Sequence, residues 1–248
     1  MNDPLIQLLQ AARDGGARLP ENAGEGLTRA RVFAVQEALA ATLGPVGGFK
    51  VACPPDAPII IAPIYASDIH ASPASLELPA DEEVGVELEY AFRLIAPLPD
   101  RDVPDFAAQL RTCVELLPVF ELVRSRLDDP KGASGLLKML DNQLNGAVVF
   151  GAPIRDWQDI DVTQATAHLT IGEAVHLSGA AQVPGGDAFA TLCKLALAIG
   201  THCGGLQPGQ LVITGSLNGL PWVKPGLFAK GEIAGLGAVE MTLEAGSE

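Results

Sequence analysis

The alternation of apolar and polar residues is clearest between residues 83 and 94, where it predicts a β-strand. Successive side chains on a strand point to opposite faces, so Val86, Leu88 and Tyr90 share one face. Glu87 and Glu89 share the other face, within roughly 7 Å of each other. This pair has two interpretations, a solvated outer face and a site that places a cation between the like charges.

A second segment, residues 117–123, is almost entirely apolar and predicts a strand that is buried on both faces. Glu121 lies within it. A buried carboxylate is costly unless it is paired or binds a metal ion, so Glu121 is either a metal ligand or one half of an ion pair. Arg93 is a candidate partner, whereas Arg124 and Arg126 follow too closely on the same strand.

The first part of the chain has helical periodicity. Residues 3–14 predict a helix with Asp3 as its cap, and residues 28–43 predict a second helix with Thr28 as its cap. We therefore expect a small helical N-terminal lobe that spans residues 1–45.

From residue 46 onward the pattern predicts strands with a few packed helices. Further strands are predicted at 47–53, 145–151, 166–171, 211–214, 227–233 and 238–243, and further helices at 104–114, capped by Asp102, and at 188–199, capped by Asp187. Residues 54–82 are rich in Pro, Ala, Ser and Asp and predict loops. The fold class is therefore α+β, with a mixed β-sheet or barrel-like catalytic domain at residues 46–248.

The net charge and composition of the chain indicate which kinds of partner and which compartment to expect. The chain of 248 residues has a formal net charge of −14, which repels phosphate backbones, so we expect no nucleic-acid partner. No apolar stretch reaches the ~20 residues of a membrane span, and we expect no membrane partner. The start of the sequence lacks a secretory signal and the four cysteines form no CxxC pair, which indicates a cytoplasmic protein with reduced thiols.

Three carboxylates with open coordination positions suit a hard cation, Mg²⁺ or Mn²⁺, better than zinc. The open positions would let a small acid chelate the ion through its carboxylate and an adjacent oxo group. A metal ion in that position can act as a Lewis acid that stabilises an enolate.

Several segments, in this order, carry a family resemblance: a G-x-K-V strand, an E-x-E strand, an LPxxELxxSR segment, a D-N segment, an IxTG strand and a terminal G-x-G-x-V, at residues 48–51, 87–89, 117–126, 141–142, 211–216 and 235–239. Together they resemble the fumarylacetoacetate hydrolase superfamily over nearly the whole chain. The most similar branch contains the 2-oxopent-4-enoate hydratases and 4-oxalocrotonate decarboxylases. This resemblance implies a body of the fumarylacetoacetase type.

The resemblance also implies site residues, with metal ligands Glu87, Glu89 and Glu121, catalytic residues Lys50 and Asp68, and substrate-binding residues Lys50, Thr214, Gly215 and Ser216. The bound Mg²⁺ or Mn²⁺ would hold the C1 carboxylate and C2 oxygen of a small 2-oxo or 2-enol carboxylic acid. Lys50 would bind the carboxylate or help to move protons. The resemblance further implies a homo-oligomer.

The sequence departs from the family pattern at two places. The G-H-P that precedes the late helix is replaced by Pro184-Gly185-Gly186, and the loop after the lysine strand is shorter, which leaves Asp68 as the nearest acidic candidate. Three functions therefore stay open. They are hydration of a 2-hydroxy-2,4-dienoate, decarboxylation of a 2-oxo-3-enedioate or C–C hydrolysis of an acylpyruvate, and binding of a 2-oxo acid without turnover.

Overall fold

A computed structural model describes residues 3–246. Five α-helices lie in this range: α1 (Pro4–Arg13), α2 (Arg29–Leu43), α3 (Phe106–Thr112), α4 (Gly135–Leu140) and α5 (Ala188–Ala198). Thirteen strands accompany them: β1 (Val46–Ala52), β2 (Ile60–Tyr65), β3 (Ile69–Ala71), β4 (Ala74–Leu78), β5 (Val84–Leu94), β6 (Val114–Val123), β7 (Asn145–Phe150), β8 (Ala165–Ile171), β9 (Ala174–Ala181), β10 (Leu211–Ser216), β11 (Trp222–Val223), β12 (Leu227–Ile233) and β13 (Gly237–Ala245). The predicted α+β class is confirmed.

The larger sheet has eight strands and carries the predicted E-x-E segment near its centre. Its order is β2-β1-β10-β5-β6-β7-β3, and β11 pairs with β5 beside this path. The apolar face of β5, with Val86, Leu88 and Tyr90, is buried in the main core as the alternation predicted. The opposite face of β5 carries Glu87 and Glu89.

A second, five-stranded sheet, in the order β4-β13-β12-β8-β9, packs against that apolar face. The two sheets approach closely at Gly231 on β12. A Cβ atom at this position would lie 2.7 Å from Leu88 Cδ1 and 2.9 Å from the Phe120 ring, so only glycine fits between the sheets.

Both predicted N-terminal helices are confirmed, and so are their caps. The Asp3 carboxylate accepts a hydrogen bond from the Leu5 amide, and the Thr28 hydroxyl accepts one from the Arg31 amide. The apolar faces of α1 and α2 share one cluster with α4, Val123 and Trp222. A division of the chain at residue 45 stays a prediction.

Two of the expectations about elements are wrong. Residues 54–82 are not only loops, because β2, β3 and β4 lie there. Strand β2 pairs with its neighbour β1, whereas β3 and β4 pair with β7 and β13, which are distant in sequence. Such short strands are specified by their partners more than by local pattern. The helix expected at residues 104–114 spans only Phe106–Thr112, and Asp105, not Asp102, occupies its cap position.

Three further elements, α4, β9 and β11, were not predicted. Along residues 3–246 no helix combines the length and the apolar character needed to cross a membrane.

Candidate metal centre

Adjacent antiparallel strands bring the three predicted metal ligands together. Glu87 on β5 lies directly opposite Glu121 on β6, and Glu89 is two residues further along the same face of β5. One carboxylate oxygen from each residue lies within 4.8 Å of the other two. Glu89 and Glu121 are fully buried, whereas the Glu87 side chain retains 13% of its exposure. Strand alternation and register are therefore sufficient to form the cluster.

Two of these carboxylates are oriented by hydrogen bonds through one oxygen each. The Asn145 side-chain amide donates to Glu121 Oε1 at 2.8 Å, and the Gly215 amide donates to Glu89 Oε2 at 2.6 Å. The second oxygens, Glu89 Oε1 and Glu121 Oε2, are buried and accept no hydrogen bond from any of residues 3–246. Each carboxylate is thus held through one oxygen and presents the other to the cluster.

Gly215 supports Glu89 through an unusual backbone conformation. Its φ of 113° is rarely adopted by residues with a side chain, and a Cβ atom there would lie 2.9 Å from Pro184. Glycine is therefore required at this position for the amide to point at the carboxylate.

Lys50 on β1 is the cation next to the cluster. Its Nζ lies 2.6 Å from Glu121 Oε2, an ion-pair contact outside hydrogen-bond geometry, and 3.7 Å from Glu87 Oε2. Nζ also donates a hydrogen bond to the Gln143 carbonyl at 3.3 Å. Arg93, the alternative partner for Glu121, pairs instead with Glu115 at 2.5 Å. The ion pair of Glu121 is therefore made with Lys50.

Charge and burial shift the protonation of these groups. Burial lowers the pKa of Lys50, but the nearby carboxylates, Glu121 first, outweigh burial and raise it above its ordinary value. Burial raises the pKa of Glu87 to about 8, against the pull of Lys50 and with a contribution from Glu121. Burial and the neighbouring carboxylates also raise the pKa of Glu89 well above its ordinary value. A further positive charge would relieve this repulsion.

The donor set fits a hard divalent cation. The cluster offers only oxygen atoms, and three carboxylates outnumber the single lysine beside them. Buried carboxylates that repel one another are stabilised when they share a metal ion, and all-oxygen sites suit Mg²⁺, Mn²⁺ or Ca²⁺. Within residues 3–246 the buried Glu89 Oε1 has no hydrogen-bond partner, and a bound ion would explain why this oxygen can be buried.

A left-handed turn over the cluster was missed by the sequence patterns. Asn142, Gln143 and Leu144 have φ angles of 48°, 53° and 62°, a conformation that is uncommon for successive non-glycine residues. The turn presents the Gln143 carbonyl to Lys50. It precedes Asn145 on β7, whose amide holds Glu121. The D-N segment of the resemblance was the sequence signal for this region, but it did not indicate these contacts.

Three of the predicted substrate-binding residues, Thr214, Gly215 and Ser216, line a cleft of ≈1520 Å³ beside the cluster. The Thr214 hydroxyl donates to the Tyr90 carbonyl at 3.2 Å, and the Ser216 hydroxyl donates to the Gly219 carbonyl at 2.6 Å. With the Gly215 amide on Glu89, the polar groups of this segment mainly hold the site together. Their contact with substrate stays a prediction.

Asp68, the predicted second catalytic residue, is not part of the glutamate cluster. It lines a separate cavity of ≈860 Å³ and lies 3.9 Å from the guanidinium of Arg13 on α1. Neither cavity is lined by Lys50 or by any of the three clustered glutamates, because these side chains are almost completely buried. The structure therefore unites Lys50 with the three glutamates, whereas Asp68 lies in the neighbouring cavity beside Arg13. A catalytic role for Asp68 stays a prediction.

No family model matches the sequence. Solved structures do match. The 4-oxalocrotonate decarboxylase from Pseudomonas putida G7, complexed with calcium and acetate, has a TM-score of 0.80 at 16% identity, over 96% of this chain and 95% of that chain. A second structure of that enzyme, complexed with magnesium and adipate, matches over the same shares and at the same identity with a TM-score of 0.77.

Two other similar structures match a smaller share of this chain, with lower TM-scores. Fumarylpyruvate hydrolase from Pseudomonas aeruginosa, in complex with Mn²⁺ and pyruvate, has a TM-score of 0.58 at 16% identity, over 80% of this chain and 89% of that chain. A protein from Yersinia pestis CO92 described as of the fumarylacetoacetate hydrolase family has a TM-score of 0.57 at 14% identity, over 81% and 93%. The chain therefore has the fumarylacetoacetate hydrolase fold, as the sequence resemblance predicted.

Proposed function

We propose that this chain is a divalent-metal-dependent enzyme that acts on a small 2-oxo acid or its enol, and that it hydrates a 2-hydroxy-2,4-dienoate. The observation that carries the proposal is the set of three clustered carboxylates beside a buried lysine. Similar structures complexed with calcium and acetate, magnesium and adipate, or Mn²⁺ and pyruvate support a site for a cation and a carboxylic acid.

Glu87, Glu89 and Glu121 would hold the ion, Mg²⁺ or Mn²⁺, through their clustered oxygens. When bound, the ion supplies Lewis-acid stabilisation of negative charge on the C2 oxygen of the substrate. Asn145 and the Gly215 amide keep two of the three ligands in place, which limits the reorganisation needed when the ion and substrate bind.

Lys50 would bind the negative charge of the substrate. Its raised pKa keeps it protonated at neutral pH, so it acts as a cation and hydrogen-bond donor and not as a base. An ammonium group has three N–H donors, of which the Gln143 carbonyl accepts one. The ion pair with Glu121 holds the ammonium at the cluster, where a remaining N–H would bind the substrate carboxylate or its C2 oxygen.

The reaction adds one water molecule. The enol becomes a ketone as C5 gains a proton, and the resulting 2-oxo-3-enoate then gains a hydroxyl at C4 and a proton at C3, which gives a 4-hydroxy-2-oxo acid. Negative charge develops on the C2 oxygen in both stages. A fixed cation at that oxygen therefore lowers the barrier to each stage.

The proposal is tested by following 2-hydroxypenta-2,4-dienoate absorbance with and without Mg²⁺ or Mn²⁺. We expect metal-dependent loss of absorbance and formation of 4-hydroxy-2-oxopentanoate, and Glu121→Gln should abolish both. Glu115→Gln is the matched control, because Glu115 is a buried glutamate on the same strand that pairs with Arg93 outside the cluster.

The same assay separates the other candidate functions. The similarity to a decarboxylase over 96% of the chain favours 2-oxohex-3-enedioate as the second substrate to test. Release of CO₂ from it without turnover of the dienoate would indicate that the protein is a decarboxylase and not a hydratase. Metal-dependent binding of oxalate without turnover of either compound would indicate a non-catalytic binding protein.

A further inference from the structure

A second group of buried polar side chains lies beyond the turn that contacts Lys50. Arg13 comes from α1, Tyr65 from the end of β2 and Asn142 from the turn itself. Arg13 and Tyr65 line the cavity of ≈860 Å³, and the Arg13 guanidinium carbon lies 5.0 Å from the centre of the Tyr65 ring. The next residue after Asn142, Gln143, contacts Lys50, so this group adjoins the metal centre.

The polar atoms of this group are buried without partners. Tyr65 and Asn142 are 2% and 1% exposed. Within residues 3–246, the Tyr65 hydroxyl, the Arg13 Nε and both polar atoms of the Asn142 side-chain amide make no well-aligned hydrogen bond, although the Asn142 side chain lies beside the Tyr65 hydroxyl. Buried donors of this kind are costly unless a ligand satisfies them, and all three side chains offer an N–H or O–H.

Lys131 and Lys224 also line this cavity but are exposed, and of the two arginines that are shielded from solvent, Arg13 and Arg126, Arg13 is the one available to a ligand. Arg126 is engaged by Asp141 at 2.5 Å and by the carbonyls of Arg124 and Asn145. Arg13 also feels the Asp141 carboxylate, which is bound to Arg126, and its own ion-pair contact is with Asp68 at 3.9 Å, which is longer than a hydrogen bond. A planar guanidinium with a hydroxyl and an amide beside it is the donor set that recognises a carboxylate.

We infer that Arg13, Tyr65 and Asn142 form an anion subsite that binds a second carboxylate of the substrate. This inference rests on the proposed function, because the first carboxylate and the 2-oxo group would lie at the metal centre. The substrate is then a dicarboxylic 2-oxo acid or its enol, and an uncharged tail would leave the three donors unsatisfied.

The subsite also bears on the reaction. An ion pair stabilises a carboxylate but not the neutral CO₂ that decarboxylation would form from it. A carboxylate bound by Arg13 is therefore one that the reaction retains, which agrees with the addition of water to a dicarboxylic dienoate.

Three probes test the subsite in calorimetric titrations of the full chain saturated with Mg²⁺. Pyruvate reports on the metal centre alone, adipate has two carboxylates but no oxo group, and 2-oxoadipate engages both sites. We expect Arg13→Gln to weaken binding of 2-oxoadipate and adipate at least about tenfold and to change pyruvate binding less than about twofold. Tyr65→Phe should weaken the two dicarboxylates by about threefold to tenfold.

Arg18→Gln is the matched control, because Arg18 lines the same cavity but is largely exposed and contacts Glu82. It should leave all three affinities unchanged. Tyr65→Phe removes only an unpartnered hydroxyl, so it should fold with an unchanged or higher Tm and keeps the test decisive if Arg13→Gln is unstable.

The inference is overturned if the wild-type protein binds neither dicarboxylate, or if both variants bind 2-oxoadipate within twofold of wild type. It is also overturned if both variants lose as much affinity for pyruvate as for 2-oxoadipate, which would indicate a purely structural role. Failure of wild type to bind pyruvate would instead contradict the proposed function, while Arg13-dependent binding of adipate would still support the subsite.

Discussion

At the scale of single residues, the surroundings of Lys50 determine what it can do. The lysine is held between Glu121 and the Gln143 carbonyl, with Glu87 slightly further away. A lysine that served as a base would need a pKa near neutrality, whereas that of Lys50 is raised by the carboxylates. In the proposed reaction it would therefore contribute a fixed positive charge, and a bound metal ion would compete with it for the Glu121 carboxylate.

This competition gives a prediction for Lys50→Met. We expect turnover of the dienoate to fall at least about 100-fold, because the cation at the developing negative charge is lost. Affinity for Mn²⁺ should be equal to or higher than that of wild type, because Glu121 loses its competing partner. Steady-state kinetics and a Mn²⁺ titration check both parts.

Lys230→Met is the control for this prediction. Lys230 is exposed on β12 and pairs with Glu240, away from the cluster, so neither quantity should change. Loss of Mn²⁺ affinity in Lys50→Met would show that the lysine maintains the site and does not compete with the ion.

The three glutamates could be predicted from sequence because strand geometry is simple. Alternation places Glu87 and Glu89 on one face, and the burial of Glu121 in an apolar strand indicates a partner. Asn145 and the Gln143 carbonyl could not be predicted, because their contacts depend on the strand register and on a turn of unusual conformation. The role of Arg13 depends on how α1 packs, which no local pattern encodes.

At the scale of elements, the helices that local sequence specifies were predicted, whereas strands that depend on distant partners were missed. Helices α1, α2 and α5 were predicted because each has a capping side chain at its first turn. Strands β3 and β4 were missed because they are short and pair in parallel with distant strands. Their register is determined by the sheets and not by their own residues.

The left-handed turn is the element whose conformation matters most to the site. At Gln143, φ is 53° and ψ is 36°, which glycine adopts readily and β-branched residues avoid. We expect Gln143→Gly to retain the Tm within a few degrees and to keep Lys50 in place. Gln143→Val should lower the free energy of unfolding by about 1–3 kcal/mol.

Thermal and denaturant unfolding of the two variants test this expectation. Equal stability of the glycine and valine variants would show that the turn carries no strain, and that its conformation does not explain how the carbonyl reaches Lys50.

A histidine joins α2 to the body of the fold. His202 bonds the Gln36 side chain at 2.9 Å, contacts Glu37 at 3.3 Å and stacks on Phe33 with ring centres 4.2 Å apart. Burial lowers the pKa of His202, with Arg29 acting in the same direction and Glu37 opposing them. The ring is therefore neutral in the folded protein at pH values where the unfolded chain binds a proton.

This contact predicts a loss of stability in mild acid. Below the ordinary histidine value of 6.5 the unfolded state binds more protons than the folded state, so stability falls as pH decreases from there. We expect the Tm difference between pH 7.5 and pH 5.5 to be smaller in His202→Gln than in wild type. Identical differences in the two proteins would assign the acid sensitivity to other groups.

At the scale of the whole molecule, the N-terminal helices and the strand body share buried surface. Tyr65, Val123 and Trp222 pack in the same cluster as α1 and α2, and α1 also supplies Arg13. Removal of residues 1–45 would expose this apolar surface to water. The N-terminal helices therefore contribute to the buried core and, through Arg13, to the inferred anion subsite.

We expect the fragment 46–248 to aggregate or to unfold without a cooperative transition. Expression of the fragment, followed by size-exclusion chromatography and thermal unfolding, provides the test. A soluble fragment with a cooperative transition close to that of the full chain would establish residues 46–248 as an independent domain.

The central claim is that Glu87, Glu89 and Glu121 bind one divalent ion. A calorimetric Mn²⁺ titration of wild type, Glu121→Gln and Glu115→Gln tests it most directly. We expect one ion per wild-type chain, affinity at least about 100-fold weaker in Glu121→Gln because a charged ligand is lost, and a change below about twofold in Glu115→Gln. Unchanged Mn²⁺ affinity in Glu121→Gln, or equal losses in both variants, would contradict the account.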